Sequence, residues 1–385
     1  MSKRLIIVEN GYRGHQRYWI SLILDNANLI LLNYDEIVLL LSRDLIEMLD
    51  LDRDKLQHVT LRRIESSTYS FAHRLRKEIN IIKQAGEFVI DTNSRLMFLT
   101  LDDVLLGLIF TKRYANYMIE GVLFQPPLRM KYVRFSRFLK LRIKRLMIKA
   151  SLSNILKIYV LNDYNGVRAL NHVFSKKIFY ELPDPIPWNI QSTSDKLDGN
   201  VKNNKQILIF GSINARKGVK ELLNCLADFS YISDSDSIEI RICGKVDISL
   251  KESLNLLIKK INASESKISV RLENRFVSDG EIPKLLSTAD LIWLGYIDFV
   301  WSSGVLGLAV SAGVPVLTFE GGLISELVCT YNFGYSIPKS RHGIMNFLSS
   351  FSNIQFELLE IKETHRLSYL EKNSESRFIS RLFDD

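Results

Sequence analysis

Short apolar runs recur along the whole chain, each closed by glycine, proline or polar turn residues and followed by a stretch of helical period. Residues 4–8 carry four consecutive apolar side chains, Leu5 to Val8, as strands buried on both faces of a parallel sheet do. A loop with Gly11 and Gly14 follows, then helical spacing to residue 24. Further strands are predicted at 36–41, 56–61, 87–91, 157–161 and 177–180, with another apolar run at 118–124. Helices are predicted at 68–84, from after residue 91 to about residue 110, and at 163–174. Pro183, Pro185 and Pro187 forbid a helix, and residues 188–205 turn polar. The pattern then restarts with a strand at 206–210, a glycine loop at 211–218 and a helix at 219–229. Strands at 238–243, 268–272 and 291–294 alternate with helices at 250–261 and 281–286.

Strands alternating with helices predict parallel sheets, and a polar linker between two such series predicts two doubly wound halves. The expected units are 1–187, a linker at 188–205, and 206–355. Helices within 356–385 are expected to cross back onto the first half. The densest cluster of signals lies at 299–328. Ser302, Ser303 and Gly304 have helix-start chemistry, since hydroxyls there cap free backbone N–H groups. Val305, Leu308, Ala309 and Ala312 follow at helical spacing. Gly313 and Pro315 stop the helix, residues 316–319 form a buried strand, and Gly321 and Gly322 break it before Ser325 and Glu326 open another helix. A helix tip beside a glycine pair is suited to phosphate, because N–H groups point outward and backbone can approach the ligand.

The remaining chemistry is sparse. A net charge of +8 favours anionic partners. Cys225, Cys243 and Cys329 are expected as buried free thiols of a reducing compartment, with no metal-ligand spacing to any histidine. The apolar run after the basic start is too short for a signal peptide, and no run approaches the roughly 20 residues of a spanning helix, so a cytoplasmic protein is expected. Residues 129–149 stand apart: nine Lys and Arg residues interleave with aromatic and aliphatic ones, and no acid interrupts them. Two readings are open for this segment: a helix docked on its own domain with a solvated basic face, or one lying on an anionic membrane surface, at the inner face of the membrane. Nucleic acid is not expected, because no nucleic-acid fold signature accompanies the charge.

Three blocks make the pattern specific. They are Ile207-Leu208-Ile209-Phe210-Gly211 with Lys217-Gly218-Val219; Arg275-Phe276-Val277-Ser278 with Ile282-Pro283 and Ala289-Asp290-Leu291; and Gly313-Val314-Pro315-Val316 with Gly321-Gly322 and Glu326-Leu327-Val328. In this order the blocks resemble the donor domain of GT-B glycosyltransferases of the large retaining family 4, in a divergent branch. The resemblance spans about residues 206–335. It implies two Rossmann-like domains facing a cleft and a nucleotide-diphosphate sugar as donor. The acceptor would be a glycan or lipid-linked glycan in surface polysaccharide biosynthesis. Retention of configuration, no metal ion and no cofactor are implied as well.

Lys217 falls at the family's phosphate-binding lysine, and Ser302, Ser303, Gly304 and Ser212 would share the phosphates. Gly14, His15, Gly321, Gly322 and Glu326 would line the donor and acceptor cleft. The family's two glutamates are replaced here by Val300 and Leu308, and its arginine after the first loop glycine by Ser212. Ribose recognition would then pass to Glu320, Glu326 or Asp298. No catalytic base is indicated. The departures keep a second reading open, a catalytically inactive GT-B scaffold that binds a partner.

Overall fold

A computed structural model describes residues 3–11, 15–49, 51, 58–64, 71–90, 93–111, 119–186, 204–227, 237–264, 267–351 and 361–384. The chain divides into two compact units. Unit 1 comprises Met1–Met130, Phe135–Pro187 and Asn373–Asp385, and unit 2 comprises Lys131–Arg134 and Trp188–Lys372.

Unit 1 is built on strands β1 (Arg4–Glu9), β2 (Glu36–Leu41), β3 (Val59–Arg63), β4 (Arg95–Phe98), β5 (Ile119–Val122), β6 (Ile155–Leu161) and β7 (Phe179–Leu182). They form one sheet in the order β3-β2-β1-β4-β5-β6-β7, with every pairing parallel. Unit 2 carries β8 (Asn204–Phe210), β9 (Ser237–Cys243), β10 (Ile268–Glu273), β11 (Leu291–Leu294), β12 (Val316–Phe319) and β13 (Gly334–Ile337). Their order is β10-β9-β8-β11-β12-β13, again all parallel. Both sheets reverse direction beside their first strand, between β1 and β4 and between β8 and β11. Ligands collect at the carboxyl ends of the strands at such a reversal.

The helices of unit 1 are α1 (His15–Asp25), α2 (Ala27–Ile30), α3 (Arg43–Met48), α4 (Phe71–Gly86), α5 (Leu105–Thr111), α6 (Phe135–Ser151) and α7 (Tyr164–Phe174). Unit 2 has α8 (Val219–Ala227), α9 (Ile248–Asn262), α10 (Ile282–Thr288), α11 (Gly304–Ser311), α12 (Leu323–Tyr331), α13 (Arg341–Phe351) and α14 (Glu363–Lys372). The last helix, α15 (Glu375–Phe383), belongs to unit 1: Phe378, Ile379, Leu382 and Phe383 are buried in one core with Leu5, Trp19 and Leu39.

Several expectations are corrected. The strand expected at 87–91 is absent from the described residues there, because Glu87, Phe88 and Val89 spend their N–H groups on turns closing α4. The strand is β4 instead, whose Leu96, Met97 and Phe98 lack β-branching and hide its character. β13 is four residues long and opens on Gly334, so it carries little signal. β8 starts at Asn204, inside the stretch read as linker, of which 188–203 lie outside the described residues. Cys329 is exposed, unlike Cys225 and Cys243.

The Phe378 ring packs 4.9 Å from Trp19, and both are fully buried. Phe378→Ala is expected to cost unit 1 about 3–5 kcal/mol. Hydrogen exchange should show faster exchange in β1 and β2, with β8 and β9 unchanged.

Candidate functional site

The loops after β8 and β11 flank the reversal point of unit 2 and carry its least ordinary side chain. Lys217 is only 4% exposed. Its Nζ donates to the Phe210 carbonyl (2.9 Å) and to Tyr296 Oη (3.1 Å). No carboxylate pairs with it among the described residues. Gly218, at φ +66, closes the turn behind it, and a Cβ there would lie 2.0 Å from the Gly295 carbonyl oxygen, so only glycine lets the two loops meet. Trp293 Nε1 ties the same turn down by donating to the Lys217 carbonyl (2.9 Å).

Tyr296 joins the lysine to the helix tip, since its hydroxyl also lies 3.3 Å from Ser303 Oγ. Burial works against ionisation of this phenol. The Lys217 charge, the Ser303 and Lys217 hydrogen bonds and the Arg216 charge together outweigh it, and the pKa falls below the usual tyrosine value. Ser303 is the N-cap residue of α11, but its side chain makes no cap hydrogen bond. The expected hydroxyl cap is therefore not made. The Ser303 side chain thus leaves the tip of α11 uncapped, which keeps its partial positive charge available. Arg216 stands next to the lysine, its guanidinium 4.7 Å from the Phe299 ring centre.

Tyr296 also lines a small solvent-open pocket within unit 2, with Asp298, Phe299, Val300, Glu320, Gly321, Gly322, Ser325 and Lys339. Gly321 sits at φ +93, and a Cβ there would meet the Tyr132 ring at 2.2 Å. Gly321 and Gly322 thus come together with the Lys217–Tyr296–Ser303 chain. Ser212 is exposed on the same loop as the lysine but makes no hydrogen bond of its own among the described residues. Glu326 is exposed in the first turn of α12 and is not part of the pocket wall. Of the three carboxylates considered for ribose, Asp298 and Glu320 both line the pocket, and Asp298 is bonded by the Arg134 backbone N–H (3.0 Å) and guanidinium.

Gly14 lies outside the described residues. His15 opens α1 in unit 1, and its Nδ1 is 3.1 Å from Asp184 Oδ1. Burial disfavours the imidazolium, the Asp184 carboxylate overrides it, and the His15 pKa rises. Tyr296, Arg216 and Asp184 were not foreseen from the sequence. Arg216 had a signal: the cation missing at Ser212 reappears four residues on. Glu9 was also missed. It ends β1 at the reversal point of unit 1, nearly fully buried, and accepts from Gly11 N (2.5 Å) and Thr100 Oγ1 (2.8 Å).

The basic segment has a 3-10 turn at Met130–Tyr132 and is an α-helix only from Phe135 onward. Arg129 pairs with Asp163, Arg134 with Asp298, and Lys144 with Asp102. Lys140, Arg145 and Lys149 make no ion pair among the described residues. Leu141 and Ile148 are buried, but Phe135 (78% exposed), Leu139, Ile143 and Leu146 (66%) form an outward apolar stripe. Among the described residues no helix is long and apolar enough to cross a membrane, and no group of three or more His, Cys, Asp or Glu side chains could hold a metal ion.

No protein-family model matches the sequence, and no curated protein sequence matches it. Solved structures do. Sucrose-phosphate synthase from Thermosynechococcus elongatus superposes with a TM-score of 0.71 at 12% identity, covering 99% of this chain and 97% of that one. HepE from Anabaena, solved in complex with UDP and glucose, gives 0.65 at 14% identity over 99% and 98%. WaaG, a glycosyltransferase involved in lipopolysaccharide biosynthesis, gives 0.54 at 14% over 99% and 96%. The fold is that of the GT-B glycosyltransferases.

Burial lifts the Glu9 carboxyl from its usual 4.5 to about 8, against the opposing hydrogen bonds from Gly11 and Thr100. The folded state therefore holds the proton more tightly than the unfolded one. The stabilisation is complete below pH 4.5 and is lost as pH rises through about 8. Glu9→Gln keeps the shape, and the Thr100 hydroxyl can turn to match the amide. Urea unfolding should show less loss of stability over this window, by a few kcal/mol at about 1.4 kcal/mol per unit of pKa displacement.

Proposed function

We propose that the chain is a glycosyltransferase that moves a sugar from a nucleotide-diphosphate donor to a glycan or lipid-linked acceptor in surface polysaccharide biosynthesis. One observation carries the reading: a buried ammonium, bonded among the described residues only to a carbonyl and a phenol, stands at the reversal point of unit 2 beside a helix tip that the Ser303 side chain does not cap. A buried cation without a counter-charge is costly unless an anion completes it. Two of the three Lys217 protons are committed, and the third is left for a phosphate oxygen. Donor complexes known for proteins of this fold agree: HepE was solved with UDP and glucose, and an E. coli trehalose-6-phosphate protein with UDP-2-fluoro glucose.

In this reading the diphosphate is the leaving group. Its charge grows as the sugar's anomeric carbon departs, and Lys217, Arg216 and the tip of α11 meet that charge in a fixed arrangement. Ser302, Ser303, Gly304 and Ser212 provide hydroxyl and N–H donors around the same oxygens. Gly321 and Gly322 let backbone approach the sugar, and Glu320 takes the ribose hydroxyls. Retention of configuration and a donor held without a divalent ion, both implied by the family resemblance, belong to the same reading. The anomeric coupling in the product's NMR spectrum checks the first, and turnover in EDTA the second.

Nucleotide diphosphates or their sugars at millimolar concentration should raise the melting temperature, since they bind the folded state alone. Lys217→Ala should abolish both this shift and transfer while the circular dichroism spectrum stays unchanged. No shift with any nucleotide tested would return the chain to the inactive-scaffold reading.

The second part of the proposal concerns α6. Its apolar stripe, rimmed by Lys140, Arg145 and Lys149, suits the interface of an anionic bilayer, which would hold the protein peripherally on the cytoplasmic face. Sedimentation with phosphatidylserine vesicles should be strong at low salt and weak at high salt. Replacing Lys140, Arg145 and Lys149 by Gln, or Phe135 and Leu146 by Ser, should leave the protein in the supernatant. Equal pelleting of both variants with wild type would remove α6 as the contact.

A further inference from the structure

A short segment of the first half of the chain belongs to unit 2. The chain leaves unit 1 at Met130, lends Lys131–Arg134 to unit 2 and returns to unit 1 at Phe135. Both ends of this segment are firmly held. Arg129 makes two hydrogen bonds to the nearly fully buried Asp163 carboxylate (2.5 and 2.9 Å), and Phe135 opens α6, which Lys144 pins to Asp102. The middle is different. Lys131, Tyr132 and Arg134 are exposed and Val133 is half-buried, so little apolar burial holds them in place.

Two contacts tie the segment down. Asp298 accepts from the Arg134 backbone N–H (3.0 Å) and from its guanidinium. The Arg134 side chain is 69% exposed, and an ion pair so open to water contributes little net stability. The second contact is the Tyr132 ring, which packs on Gly321 so closely that a Cβ there would stand 2.2 Å from it. Glycine thus provides the seat for the ring. Tyr132 also lines the pocket that contains Glu320, Gly322 and Tyr296, and the cavity volume left beside it is about 20 Å³. That is room for about one water molecule and not for a sugar ring. Tyr296 of the same wall bonds Lys217, so the blocked space begins where the grip on a diphosphate ends. A loosely tethered ring fills the place that a donor sugar needs.

We propose that residues 131–134 are an autoinhibitory strap. With no donor bound, the Tyr132 ring occupies the seat on Gly321 that the donor's sugar takes, and the Arg134–Asp298 contact latches it there. The inference rests on the glycosyltransferase reading and adds a step that precedes transfer. A nucleotide sugar seats fully only in molecules whose strap has lifted, so its apparent affinity is lowered by that fraction. The latch is weak, and the reduction is about two- to fivefold.

The test uses the full chain and whichever of UDP and GDP raises its melting temperature, beside the matching nucleotide sugars: UDP-glucose, UDP-galactose and UDP-N-acetylglucosamine, or GDP-mannose. Hydrogen exchange of the Arg134 backbone N–H reads the strap directly, because Asp298 protects it only while the latch is closed. Exchange should be slow in the free chain and with the nucleotide diphosphate, and at least one nucleotide sugar should remove the protection. Tyr132→Ala and Arg134→Ala should each tighten binding of that sugar by about two- to fivefold and leave the diphosphate's binding as it was. Both side chains are exposed, so the free variants should melt with wild type. Weaker sugar binding by Tyr132→Ala would make the ring a wall of the sugar site, and equal gains for diphosphate and sugar would put it over the nucleotide. Either result overturns the strap. So does unchanged affinity in both variants, or an Arg134 N–H that is unprotected in the free chain or stays protected with every sugar. A chain whose melting temperature responds to no nucleotide diphosphate overturns the wider reading instead.

Discussion

The Lys217 ammonium is the constraint around which unit 2 is arranged. Burying it requires acceptors at fixed places. The Phe210 carbonyl at the end of β8 supplies one, and Tyr296, just past β11, supplies the other. Those strands are neighbours only because the sheet reverses there. The turn that delivers the lysine needs a left-handed glycine at 218, and the glycine needs a backbone approach that no side chain would permit. Lys205 makes the contrast. It is also buried, but at the opposite end of β8, where it donates to the Phe351 carbonyl and helps join α13 to the sheet. One lysine is used up by structure, and the other keeps a proton to offer.

Much of the architecture was readable from alternation alone. Fully apolar runs such as Leu5–Ile6–Ile7–Val8 announce buried parallel strands, and the glycine loops after them announce the reversal points. What escaped notice was made of weak local signals. β4 lacks β-branched residues, and β13 is short and opens on glycine. Neither could be placed until its neighbours supplied the pairing.

The site was legible where chemistry is local in sequence. Lys217, the Ser302–Ser303–Gly304 tip and the glycine pair each carry a pattern within a few residues. Tyr296 carries none. Its importance comes from sitting between two loops nearly 80 positions apart along the chain, as its bond to Lys217 records. Asp184 is hidden for the same reason, and Glu9 because burial, not neighbours in sequence, determines its proton affinity. The hydroxyl cap foreseen at Ser303 failed because Tyr296 draws that side chain to itself.

The return of α15 to unit 1 has a consequence for biosynthesis. A ribosome delivers the seven strands of that sheet early, but Phe378, Ile379, Leu382 and Phe383, which cover Trp19 and its neighbours, emerge only after the strands of unit 2. Through most of translation this apolar face stays open to water and to other chains, the condition in which nascent proteins recruit chaperones. Unit 2, whose strands follow one another without such a debt, can close as it leaves the exit tunnel, so the half made first is the half completed last.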